Sequence, residues 1–125
     1  MAVRLNNGQV LNLWDMFDNN GEKHRATVLG PNGTHRVVSV NPLAPQGAHF
    51  ETSPTTGQRY AGKWTVTIPS LNTELVVTAK PVLQEIQADQ PFTPGIDEAD
   101  SSVRGIYQGQ PVTGDAYVEQ FGLWK

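Results

Sequence analysis

The chain has no cysteine, so neither a disulfide nor a thiolate metal site contributes to it. It has no excess of positive charge either. Nine Lys and Arg are scattered singly against twelve Asp and Glu, for a formal net charge of -3. With a pI near 5.5, the basic face of a nucleic-acid binder is missing. No stretch approaches the eighteen or so apolar residues of a membrane span, and Met1-Ala2-Val3-Arg4-Leu5 lacks the apolar region of a signal peptide. The chain therefore reads as soluble, untargeted and cytoplasmic. No segment carries a strong 3.6-residue period, residues 82–89 being a weak helical candidate. His24, His35 and His49 fall on three predicted strands without ligand spacing, no Gly-rich phosphate loop opens a helix, and no serine sits in a nucleophile elbow. Metal, cofactor and hydrolytic chemistry are not expected.

What is present is turn chemistry and alternation. Twelve Gly and nine Pro recur at regular intervals, the punctuation of many short strands. The clearest segment is Tyr60 to Pro81. In its first arm Trp64, Val66 and Ile68 alternate with Lys63, Thr65 and Thr67; in its second, Leu75, Val77 and Ala79 alternate with Val76, Thr78 and Lys80. That period of two predicts a hairpin with one buried face, joined by the five-residue loop at residues 69–73. Upstream, Val3 to Leu5 and Gln9 to Phe17 flank Asn6-Asn7-Gly8, which predicts a primed hairpin turn. The second of these arms is apolar on both faces, so it is covered on both sides or carries ligand contacts on one. Strands follow over residues 22–29 and 34–40, residues 41–48 form a corner, and residues 49–52 make a short strand.

Downstream, residues 82–86 extend a strand. Residues 87–101, with two prolines and four acids, read as a long loop of the lid or binding type. Residues 102–112, a turn at Thr113-Gly114 and a strand from Asp115 to Trp124 complete the chain. Tyr117, Glu119, Phe121 and Leu123 share one face of that last strand. At 125 residues this is a single domain, residues 1–125, burying roughly two thirds of the surface its unfolded chain exposes. Eight or nine antiparallel strands solve their edge problem by closing. The expected fold is an all-β, antiparallel lipocalin-like β-barrel with room for side chains or one small ligand; the turns alone do not separate it from a two-sheet sandwich.

Two stretches add a resemblance. Thr52-Ser53-Pro54-Thr55-Thr56-Gly57, Tyr60, Trp64, Ile68-Pro69 and Gln84-Glu85 form the first, and Tyr107-Gln108-Gly109, Val112, Gly114, Tyr117-Val118-Glu119 and Gly122 the second. Together with the opening Leu5-Asn6-Asn7-Gly8 they resemble the C-terminal lipocalin-like domain of the carotenoid 1,2-hydratase and AttH superfamily, which includes lipocalin-like Diels-Alderases. The resemblance implies a cofactor-independent cyclase of the Diels-Alderase type that folds a hydrophobic, polyketide-like substrate for [4+2] ring closure. Holding the reacting ends together removes much of the entropic barrier without a nucleophile. It leaves open a non-catalytic binding module for a hydrophobic small molecule, half of a two-domain enzyme, and a carotenoid-type hydratase. The partners implied are a hydrophobic small-molecule substrate and either a second copy, as a homodimer, or a second lipocalin-like domain.

The side chains suited to such a site are few. Glu119, between Tyr117 and Phe121, is the first candidate acid or anchor, because a carboxyl on an apolar surface has its pKa raised. Tyr107 is the second catalytic candidate; with Tyr60 and Gln108 it offers hydrogen bonds to a substrate carbonyl. Trp14, Tyr60, Trp64, Gln108, Tyr117 and Phe121 are the expected substrate-binding residues, since large aromatics with a polar tip orient an apolar chain. Glu85, beside the long loop, poses the same question as Glu119.

Overall fold

The computed structural model describes residues 1–80, 83–86 and 95–121. Among these residues there are ten β-strands, two short 3-10 turns and no α-helix. The strands are β1 Ala2–Leu5, β2 Val10–Asp18, β3 Gly21–Leu29, β4 His35–Ser39, β5 Gly47–Thr52, β6 Arg59–Ile68, β7 Thr73–Ala79, β8 Glu85–Ile86, β9 Ile96–Tyr107 and β10 Gln110–Phe121. All pairings are antiparallel, in the order β4-β3-β2-β1-β10-β9-β7-β6-β5, with β8 added against β9. This is the all-β, lipocalin-like barrel expected. β5 pairs only with the first half of β6; beyond it the chain leaving β4 reaches β6 through Asn41 N–H to the Thr67 carbonyl, 2.9 Å, which brings the two sheet edges together.

The interior follows the alternation. Leu11 and Leu13 of β2, Trp64, Val66 and Ile68 of β6, Leu75 and Val77 of β7, and Val103 of β9 are all at most 4% exposed. The residues between them point outward, as a pleated strand requires. The barrel is therefore filled by its own side chains over most of its length.

Several local expectations are corrected. The first hairpin is not closed by a primed turn: Gly8 takes φ +83 while Asn6 and Asn7 keep negative φ. Gly8 N–H donates to Leu5 O and Leu5 N–H to Gln9 O, the three-residue loop ending in a bulge at a left-handed glycine. The last hairpin turns at Gln108-Gly109, both with positive φ, and not at Thr113-Gly114. Gly114 lies inside β10, where a Cβ would collide with the Arg4 carbonyl oxygen of β1; its glycine serves close strand approach. Residues 96–101, read as loop, open the twelve-residue β9. Their inward positions hold Asp97, Ala99 and Ser101, too small or polar to register as a buried strand. The remainder of that expected loop, residues 87–94, and residues 122–125 of the last strand lie outside the described residues.

The candidate site at the open end of the barrel

The two ends of the barrel differ. At one, tight turns close β1 to β2, β3 to β4, β6 to β7 and β9 to β10. At the other, the inward positions near the ends of β2 and β3 become polar. Past Leu11 and Leu13 come Asp15 and Phe17, and opposite them on β3 are Glu22 and His24, with Asp15 in register with His24 and Phe17 with Glu22. A cup of about 100 Å³ opens here, floored by Trp64 and Val118 and walled by Phe17, Leu43 and Phe121, with Asp15, Glu119 and Gln120 on its rim.

Asp15 is held by the corner after β4. Its Oδ2 accepts from the backbone N–H groups of Leu43, at 2.6 Å, and Ala44, at 3.2 Å. Its Oδ1 is buried and has no hydrogen-bond partner among the described residues. A buried carboxylate oxygen without a donor is costly. Glu22 stands diagonally across the β2-β3 pair, within side-chain reach. Loss of water first, and then the Asp15 carboxylate with which it shares a hydrogen bond, hold the Glu22 carboxyl above its usual range, against a smaller opposing effect of His24. Glu22 itself is exposed and lines, with Phe17 and Ala44, a depression of about 340 Å³ that adjoins the cup. The His24 ring is engaged elsewhere, with the Val40 carbonyl.

A second polar cluster braces the same end. Glu85 accepts from Ser53 Oγ at 2.5 Å, Thr56 Oγ1 at 2.6 Å and Tyr60 Oη at 2.7 Å. Burial and the Glu85 carboxylate both push the Tyr60 phenol upward. The Ser-Pro-Thr-Thr turn, the Tyr and the Gln-Glu pair, distant in sequence, thus converge on one carboxylate. Gln120 spans from β10 to β6, donating to Ala61 O at 2.9 Å and Asp97 Oδ2 at 2.8 Å and accepting from Ala61 N–H at 2.9 Å.

The residues singled out from sequence divide among four places. Trp64 forms the cup floor, and Glu119 and Phe121 reach its rim. Tyr60 is buried against Glu85. Trp14 and Tyr117 point away from the interior, 54% and 46% exposed, because Leu13 on β2 and Ala116 and Val118 on β10 take the inward positions. Tyr107 and Gln108 sit at the closed end, where the Tyr107 hydroxyl donates to Gln9 Oε1 at 3.2 Å beside a separate polar depression. Nine residues of β10 separate that end from Glu119, about 30 Å along the strand, so Glu119 and Tyr107 do not meet at one site. Among the described residues, no group of three or more His, Asp or Glu is placed to hold a metal ion. No helix among them is long and apolar enough to cross a membrane. Asp15 and Glu22 were missed by sequence reasoning, yet Asp15 carried a signal: a charge at an inward position of an apolar strand.

Comparison with known proteins agrees on the architecture. No protein-family model matches the chain, and no curated protein matches it significantly in sequence. Among solved structures it is similar to kievitone hydratase from Nectria haematococca, with 19% identity and a TM-score of 0.82 over 98% of this chain and 39% of that one. It is similar also to an AttH-like protein of Nitrosomonas europaea, with 21% identity and a TM-score of 0.74 over 97% of this chain and 37% of that one. The likeness is one of fold, and the chain spans about two fifths of the length of either structure.

Proposed function

We propose that the barrel is a hydratase-type unit that adds water to a carbon–carbon double bond of an apolar substrate whose end enters the cup. The observation that carries this reading is the Asp15 carboxylate, its buried Oδ1 unpaired among the described residues, at a cup lined by Phe17, Trp64 and Phe121, with Glu22 on the adjoining depression that shares Phe17 and Ala44. Glu22 gives its proton to one alkene carbon, and the positive charge that develops on the other faces the rings of Phe17, Trp64 and Phe121. Water adds to that carbon and loses a proton to the carboxylate pair, which returns to its starting state. Kievitone hydratase, to which the fold is similar, is named for water addition.

The test is to incubate the protein with kievitone and with a linear polyene in heavy-oxygen water and follow mass and retention time. The expected product is heavier by one labelled water, and Asp15→Asn lowers its rate about 100-fold or more. Binding without any change of mass supports a carrier. A cyclised isomer of unchanged mass returns the cyclase, and full activity in Asp15→Asn refutes the carboxyl pair.

A further inference from the structure

The outer face of β2, β1 and β10 is the largest feature that the cup leaves unused. Trp14 and Met16 on β2 are 54% and 58% exposed, and Tyr117 on β10 is 46% exposed. Monomers rarely leave contiguous apolar patches of more than a few hundred Å² uncovered. β1 lies between β2 and β10; its outward residue Ala2 stands level with Asn12 and Tyr117, and Trp14 and Met16 lie just beyond its end. The single methyl leaves a trough of about 320 Å³ flanked by Val10 and Tyr117, with Arg4 and Asp115 at its side.

Charge divides along the same line. The outward ionic residues of β1 and β3 are Arg4, Lys23 and Arg25, all basic. Those of β10 and the facing part of β9 are Glu98, Asp100, Asp115 and Glu119, with Arg104 opposite Thr113 as the exception, and Lys80 bridges Asp100 at 3.4 Å and Asp115 at 2.8 Å.

We propose that this face docks a second copy of the chain about a two-fold axis running along the strands between β1 and β10. Ala2 pairs with Tyr117, and Arg4 with Asp115, so such an axis exchanges the members of each pair at equal height. Each copy's Tyr117 then enters the trough over the partner's Ala2, and Arg4 meets the partner's Asp115. The basic flank of one copy comes to lie over the acidic flank of the other. An axis across the strands would stack basic on basic, which complementary interfaces avoid. The contact is isologous and closes as a dimer.

Light scattering and sedimentation over a concentration series test this. The expected mass rises toward twice the 13.7 kDa chain, and salt weakens the association. Ala2→Trp, which fills the trough, and Tyr117→Ala, which removes the knob, should each raise the dissociation constant about tenfold or more. Both positions are exposed, so circular dichroism should stay unchanged. A monomer at every concentration overturns the proposal, as does a dimer indifferent to both substitutions. Asp15→Asn leaves the dimer intact, which separates failure of this face from failure of the cup.

Discussion

Replacing Gln120 by Leu is the sharpest test of what holds the open end in shape. The substitution keeps most of the side-chain volume and removes three hydrogen bonds, leaving the Ala61 N–H, the Ala61 carbonyl and one Asp97 oxygen without their partner. Gln120 is 4% exposed, so solvent does not replace these bonds without local opening. A buried group left unpaired costs about 1–3 kcal/mol, and the three losses share one relaxation, so their sum overstates the effect. The expected destabilisation is about 3–5 kcal/mol, against a total stability of about 5–15 kcal/mol for a domain of this kind. Urea unfolding followed by the fluorescence of buried Trp64 measures it. Gln120→Glu is the informative companion, because it sets a second carboxylate against Asp97 and its penalty should shrink as pH falls, whereas that of Gln120→Leu should not. If Gln120→Leu unfolds within about 1 kcal/mol of the parent at an unchanged urea slope, the amide is not the clamp its geometry implies.

Four further outcomes are expected. Gly114→Ala should cost about 2 kcal/mol or more, read from thermal unfolding, since its Cβ meets the backbone of Arg4 and a strand must move. Glu85→Gln should lower stability by about 1.5–3 kcal/mol through weakened charge-assisted bonds to Ser53, Thr56 and Tyr60, measured by urea titration. Tyr60 and Tyr117 are both raised, Tyr117 to about 12 chiefly by the Glu98 carboxylate. The unfolded phenols ionise near pH 10 and the folded ones do not, so stability should fall as pH rises above about 10, and Tyr60→Phe should flatten that slope. The Glu22 carboxyl is raised likewise, by loss of water first and by Asp15 second, so the stabilisation tied to its proton is present below the unfolded value near pH 4.3 and lost as pH climbs through the folded one; infrared titration should show its late deprotonation, and Asp15→Asn should reduce the shift without removing it.

Much of the fold was legible because the barrel obeys a simple rule. Alternation in residues 60–80 gives β6, β7 and their inward residues directly, since an apolar residue at every second position leaves one arrangement that buries it. The misreadings occur where a different force sets the local structure. Gly114 looks like a turn residue because glycine favours turns, but it answers to the approach of β1, a long-range contact invisible in the local sequence. Residues 96–101 look like loop because Asp97 is polar, yet Asp97 is buried and bonded to the Gln120 amide and the Gln84 N–H, partners 23 and 13 residues away. Which face of β10 turns inward was undetermined for a related reason: Tyr117 and Phe121 offer more apolar area than Ala116 and Val118, and only the pairing with β1 and β9 decides.

The site was harder to read because its chemistry resides in exceptions to the same rule. An isolated carboxylate at an inward strand position is unstable unless something answers it, and a sequence names the carboxylate without naming the answer. For Asp15 the answers are the backbone N–H groups of Leu43 and Ala44, 28 and 29 residues on, which satisfy Oδ2 and leave Oδ1 without a donor among the described residues. For Glu85 they are three hydroxyls, which leave it fixed as a brace. Both carboxylates lie at the same end of the barrel, and the distinction between them is one of satisfaction. Glu85 accepts from three donors and has little capacity left to offer, whereas Asp15 keeps one buried oxygen without a donor among the described residues, and a carboxylate with spare capacity beside an apolar opening is what the proposed acid–base step calls for.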